Sequence, residues 1–212
     1  MPVLHGTFHI FHSSIASAPT FHLAVMHDFS STTDGERMRR WAAGDRAAFE
    51  EIVHIWQYPI GRFLIRLTGN CEDASDLTQE VFLRVYLRGA QYRDAGTFRT
   101  WLYQIALNLA RDTARRKTRR PAIALEESHD SPKLIDSHDG VERAALVAAA
   151  LAELPVAQRE VVVLRYYEEL SFEAMAKLLG TPSTTLKSRF AVAMAKLELA
   201  LTARGLKPEN AP

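Results

Sequence analysis

The chain reads as an all-α protein: two small helical domains joined by a flexible acidic linker, the second carrying a helix-turn-helix. Three observations predict this. Apolar residues recur at three- and four-residue steps through most of the chain, with no convincing strand pattern. The periodicity is lost at Pro121 and resumes at Val141. Charge divides at the same points. From Asp34 to Arg120 sixteen Lys/Arg stand against eleven Asp/Glu, from Pro121 to Val141 one against five, and from Glu142 to Pro212 nine against eight.

Composition narrows the classes of function. The 212 residues are 47% hydrophobic and 24% charged, enough for one or two folded cores. Cys71 is the sole cysteine, so an internal disulfide is excluded and a zinc site would need several other ligands. That usage fits a reducing cytoplasm. No apolar run approaches the roughly 18 residues of a membrane span.

Residues 1–33 read as a leader, disordered or lying before the natural start. Met1 to His27 carries almost no charge and lacks the basic start of a secretory signal. It holds five of the eight histidines, and His5 and His9 would share a face if helical. Composition favours an unstructured segment over a metal site, and no metal or cofactor is expected. Met26 precedes the first charged, foldable sequence and is a candidate start.

In the first domain, residues 34–120, helical periodicity begins at Asp45. Phe49, Ile52, Val53, Trp56, Ile60, Phe63, Leu64 and Leu67 form one stripe. Pro59 inside it should kink or split the helix, and Gly69-Asn70 should end it. A second helix is expected from about Glu72 to Arg88, with Leu77, Val81 and Val85 on one face and Gly89 as a stop. A third starts near Thr97 as N-cap, with a stripe of Phe98, Trp101, Leu102, Ile105 and Leu109. It ends in the basic run Arg111 to Arg120. Residues 121–140 read as linker.

The second domain, residues 141–205, opens with a helix to about Leu154. Pro155 suits the first turn of the next, which reaches about Tyr167. Ser171 caps a short helix, Phe172 to Leu179. Gly180 supplies a left-handed turn, and Thr181-Pro182 cap and start a last helix to about Ala203. Ala176, Gly180 and Leu186 carry the helix-turn-helix spacing. Leu186, Phe190, Ala193 and Leu197 continue the buried stripe. Ser183, Thr184, Lys187, Ser188 and Arg189 are left for DNA, where hydroxyls hold phosphates and Lys or Arg can read guanine. Residues 206–212 form a short tail.

Four strings, in this order, resemble the extracytoplasmic-function group of bacterial RNA polymerase sigma factors. They are Asp73-Ala-Ser-Asp-Leu-Thr-Gln-Glu-Val-Phe82, Phe98-Arg-Thr-Trp-Leu-Tyr-Gln-Ile-Ala-Leu-Asn108, Leu154-Pro-Val-Ala-Gln-Arg-Glu-Val162 and Lys187-Ser-Arg189. The resemblance covers about Asp45 to Leu201. It implies that Asp73, Asp76, Leu77, Gln79, Glu80 and Phe82 face the clamp of core RNA polymerase. It implies that Arg99, Asn108, Arg111, Arg115 and Arg116 serve the −10 element of promoter DNA, where a base is flipped from the strand. Spacing gives Phe98 and Trp101 to the core. The last two strings resemble the domain that reads the −35 element as duplex. One departure stands out: after Arg189 the helix continues Phe190-Ala-Val-Ala-Met-Ala195, where the group often has basic residues. An anti-sigma factor is the further partner that the resemblance implies.

The alternative is a self-sufficient helix-turn-helix regulator on operator DNA. It leaves the Asp73 to Phe82 string without a role. An enzyme is disfavoured, because no Gly-rich phosphate loop, metal-spaced His/Cys set or nucleophile motif is present.

Overall fold

A computed structural model describes residues 31–89, 92, 98–119 and 138–206. Among these, eight α-helices and one π-helical turn occur, and no strand. The leader through residue 30, Thr97, Arg120, the linker at 121–137 and the tail from residue 207 lie outside the described residues.

Helix α1 (Ser31–Ala42) was not expected from periodicity. Its inward stripe mixes Asp34 with Met38 and Trp41, so an acid interrupts the apolar signal. Asp34 is 2% exposed, paired with Arg37 at 3.1 Å and hydrogen-bonded to the side chain of Trp56. Burial pushes its carboxyl up from the usual range. Arg37 and Arg40 then reach Glu51, fixing α1 to the next helix.

Helix α2 (Arg46–Thr68) starts at Asp45, whose carboxylate accepts from the Ala47 and Ala48 amides. It runs unbroken through Pro59, so the expected split does not occur. Ile52, Trp56, Ile60, Phe63 and Leu64 are buried on both sides of the proline, and that packing holds the helix together. Gly69 ends it at φ 72°. Asn70 caps α3 (Cys71–Arg88) by accepting from the Asp73 amide.

Gly89 stops α3 for a different reason from the one a helix-ending glycine usually has. Its φ is −54°, open to any residue. A Cβ there would lie 2.5 Å from Cδ1 of Trp41 and closer still to Nε1. The close approach lets Trp41 stack with Phe49 and Tyr86, at centroid distances of 5.0 and 4.8 Å.

Helix α4 (Phe98–Arg119) lies at the centre. The expected stripe is present, but Tyr103, Ala106 and Leu107 are buried as well. Trp56 and Phe63 meet the Tyr103 ring edge-on, at centroid distances of 6.2 and 4.8 Å, and Trp56 meets Phe98 likewise at 5.9 Å.

Helix α5 (His138–Ala152) begins inside the stretch expected to be linker. Pro155 precedes α6 (Val156–Val162) as its N-cap rather than entering its first turn. The chain then widens into a π-helical turn, Val163–Tyr167, where one continuous α-helix was expected. Glu168 follows, and Glu169 holds a left-handed φ of 54°. Ser171 caps α7 (Phe172–Leu179) through the Ala174 amide. Gly180 turns at φ 62°, as its position requires. Thr181 does not cap α8 (Ser183–Ala203). Its hydroxyl donates back to the Leu179 carbonyl, and Pro182 is the cap residue, without a side-chain bond.

The two lobes pack on each other. Glu168 is 6% exposed and accepts from the Tyr103 hydroxyl. Arg66 and Arg99 stand 3.8 Å from its carboxylate, and Arg66 also stacks 4.0 Å over the Tyr167 ring. Arg159 donates to the Leu67 carbonyl across the same seam and to the carbonyls of Ala152 and Leu154. Burial raises the Glu168 carboxyl above its ordinary 4.5, although Tyr103, Arg66, Arg99 and Arg62 all act to lower it.

Two outcomes follow from this packing. Gly89→Ala drives a methyl into Trp41, so we expect it to destabilise the fold by about 1–3 kcal/mol, read by urea unfolding. For Glu168, a raised folded-state pKa means that its contribution is complete below about 4.5 and is lost as pH rises through the folded value. The Tm of Glu168→Gln minus that of the wild type should therefore become more positive between about pH 5 and about pH 8. A constant difference would contradict it.

Candidate polymerase and DNA interfaces

Three surfaces carry the residues singled out from sequence. The first is the outward stripe of α3. Asp76 is exposed, and Asp73, Gln79 and Glu80 are half-buried. Leu77 and Phe82 are 6% and 3% exposed and sit in the core. They shape the face from beneath instead of presenting side chains on it, because inward packing takes the positions at which the helix meets α2 and α4. Asp73 is bound by Lys117 from the end of α4, and Glu80 by Arg84 at 2.9 Å. The stripe continues into Leu83, Tyr86 and Leu87, all exposed. Sequence reasoning missed these three. Extending the Asp76 stripe by steps of three and four residues would have found them.

The second surface is the basic half of α4. Its first half is core, and its second half emerges with Asn108, Arg115 and Arg116 exposed. Asn108 accepts from Gln104 at 3.2 Å, Arg116 donates to Thr113 at 2.9 Å, and Arg115 lies 3.7 Å from Asp112. The other two residues expected at the −10 element are engaged by the second lobe. Arg111 makes a two-pronged pair with Glu160 at 2.6 and 2.7 Å, and Arg99 donates to the Glu168 carbonyl at 2.6 Å. The pair holds Arg111 firmly in its charged form. Phe98 is fully buried, and Trp101 is half-buried against Tyr92 and Phe98, as their spacing indicates.

The third surface is the start of α8. Leu186 is fully buried between α7 and α8, with Ala193 and Leu197 continuing inward. That leaves Thr184, Lys187 and Ser188 exposed and Ser183 and Arg189 half-buried. Lys187 lies 5.8 Å over the Phe172 ring, and Ser188 donates to the Thr185 carbonyl. Beyond Phe190 the face turns apolar, with Val192, Met194 and Leu199 exposed. The π-helical turn adds Arg165 and Tyr166, both exposed, beside Phe172 and Phe190. Periodicity alone does not reveal a π turn, so these two were not anticipated. No group of three or more His, Cys, Asp or Glu placed to hold a metal occurs among the described residues.

The chain matches known proteins in sequence and in fold. Residues 56–120 match the family model for Sigma-70 region 2, and residues 144–197 the model for Sigma-70, region 4. The ECF RNA polymerase sigma factor SigE of Mycolicibacterium smegmatis is 40% identical over 160 residues, covering 70% of this chain and 60% of that protein. The RNA polymerase sigma-H factor of Pseudomonas aeruginosa is 30% identical over 182 residues, covering 79% of this chain and 93% of that protein. The ECF sigma factor SigW of Bacillus subtilis is 31% identical over 168 residues, covering 73% and 89%. In fold, the chain is similar to CnrH, solved in complex with the cytosolic domain of CnrY. That match has a TM-score of 0.60 and 23% identity over 81% of this chain and 98% of that one. The sigma factor RpoE of Bartonella quintana, solved with the anti-sigma factor NepR, matches with a TM-score of 0.60 and 22% identity over 73% and 96%. The fold, the four strings in order and these relatives agree: the chain belongs to the ECF sigma factors of RNA polymerase.

Proposed function

We propose that the protein gives core RNA polymerase its promoter choice, as a cytoplasmic alternative sigma factor. The observation that carries this reading is the juxtaposition, in one chain, of the acidic stripe on α3, the basic half of α4 and the polar start of α8. Asp73, Asp76, Gln79 and Glu80, followed by Leu83, Tyr86 and Leu87, make an acidic surface with an apolar end. That suits a basic partner helix on the polymerase clamp. Asn108, Arg115 and Arg116, with Arg99 and Arg111 once free, suit the opened strand of the −10 element. Ser183, Thr184, Lys187, Ser188 and Arg189 suit the major groove of the −35 duplex.

In this reading the chain makes and breaks no covalent bond, and the polymerase performs the chemistry. The domain boundaries follow as residues 34–120 for the polymerase and −10 functions and 141–205 for the −35 function. The connector is the stretch 121–137 that precedes α5, and its acidic charge mimics the nucleic acid that displaces it. The relatives solved with bound partners support an anti-sigma factor as the repressing partner.

Co-elution with core polymerase and run-off transcription from a cognate promoter test the reading. A sigma factor does both, whereas a self-sufficient regulator binds DNA without polymerase. Charge reversal in Asp76→Lys with Glu80→Lys should weaken polymerase binding about tenfold or more while far-UV helicity stays unchanged. Undiminished binding would remove α3 from the interface. Arg115→Ala and Lys187→Ala should each reduce the salt dependence of promoter binding by the holoenzyme by about one unit of slope. An unaltered slope would show that neither side chain meets a phosphate.

A further inference from the structure

We infer that Val192, on the apolar continuation of α8, reads a thymine of the −35 element through its C5-methyl group. This rests on the −35 role proposed above.

Helical geometry puts Val192 on the reading side. Leu186, Ala193 and Leu197 are buried and fix the inward direction of α8. Thr184 and Ser188 are exposed on the opposite side, and Val192 follows them at the next four-residue step. At 1.5 Å per residue it lies about 12 Å along the axis from Thr184. A major groove is about 12 Å wide, so a helix whose start enters it still presents Val192 to base edges. Val192 is 49% exposed, and its side chain carries no atom that can hold a phosphate. Leu199, 72% exposed, continues the line about 10 Å further on, beyond that span.

The surroundings select nucleic acid over an apolar protein surface. Arg189 stands three residues before Val192 and Lys196 four after it, so a cation flanks it on each side along the helix. Lys187 lies on the other flank of the same face. Lys187 and Lys196 are exposed, Arg189 is half-buried, and none of the three forms an ion pair with another described residue. The nearest carboxylate along the helix after Val192 is that of Glu198, six residues on. An apolar partner would leave these cations facing no opposite charge. The major groove offers phosphates at its edges and, at thymine alone, a methyl group on its floor. The cations then meet the phosphates while Val192 meets the methyl. This contact separates thymine from cytosine and releases no counterion.

The test uses the full chain bound to core polymerase. The −35 element is selected from promoters randomised there, and each selected thymine is replaced in turn by deoxyuridine, which lacks only the methyl group. At one position the wild type should bind about threefold more weakly, the worth of one methyl taken out of water. Val192→Ala, which removes both methyl groups that reach the base, should bind the thymine and deoxyuridine promoters equally. Leu199→Ala should keep the wild-type discrimination. Val192→Arg should steepen the salt dependence of binding by about one unit of slope. A selected element that holds no thymine, or tolerates deoxyuridine at every one, would overturn the inference. So would a penalty that persists in Val192→Ala or vanishes in Leu199→Ala, and an unaltered slope in Val192→Arg would take the position off the DNA face. Loss of co-elution with core polymerase in Val192→Ala would make the face a protein contact instead. If the wild-type holoenzyme selects no −35 element at all, the promoter reading itself fails, and this inference with it.

Discussion

The buried contact of Glu168 with Tyr103, ringed by Arg66 and Arg99, is the constraint on which the arrangement of the two lobes depends. A carboxylate taken out of water is costly unless it is hydrogen-bonded and faced by opposite charge. The side-chain partners of Glu168, Tyr103, Arg66 and Arg99, come from the first lobe, so burying its carboxylate ties the second lobe to that site. The Arg111–Glu160 pair adds a second fixed point along the same helix. Such contacts contribute less to net stability than to uniqueness, because apolar packing alone would let the lobes slide.

Helix α4 makes this possible because its two halves answer to different solvents. From Phe98 to Ala110 it is surrounded, with Tyr103, Ile105, Ala106 and Leu107 buried as well as the expected stripe. From Arg111 onward it leaves the core, and its cations meet carboxylates or water. The same helix thus serves as the hydrophobic centre of the first lobe and as its charged face. Its exit point, near Ala110, is where the second lobe arrives.

Two glycines, one in each lobe, do unlike work. Gly180 is needed for a backbone angle that side chains resist, and Gly89 for the space that Trp41 fills. Leu186 locks α8 against α7, so the residues around it, Thr184, Lys187 and Ser188, are held outward. Past Phe190 the exposed face is apolar, so the polar part of this helix is short and confined to its first turns. That agrees with a reader that works as one half of a bipartite device.

Much of this was determined by sequence alone. Helices α2, α3, α4, α7 and α8 are set by apolar residues at helical spacing and by local caps such as Asp45, Asn70 and Ser171, which act within a few residues of themselves. The helix-turn-helix belongs here too, since its turn and its plug lie ten residues or fewer apart. Tertiary structure decided the rest. Helix α1 depends on Asp34 finding Trp56 and Arg37, the continuity of α2 through Pro59 on packing at both sides, and the burial of Leu77 and Phe82 on neighbouring helices. The capture of Arg99 and Arg111 joins residues 49 to 69 positions apart. Periodicity reports which face of a helix is buried, but not which distant charge will meet it, because ion pairing across a seam is settled only when both helices are in place.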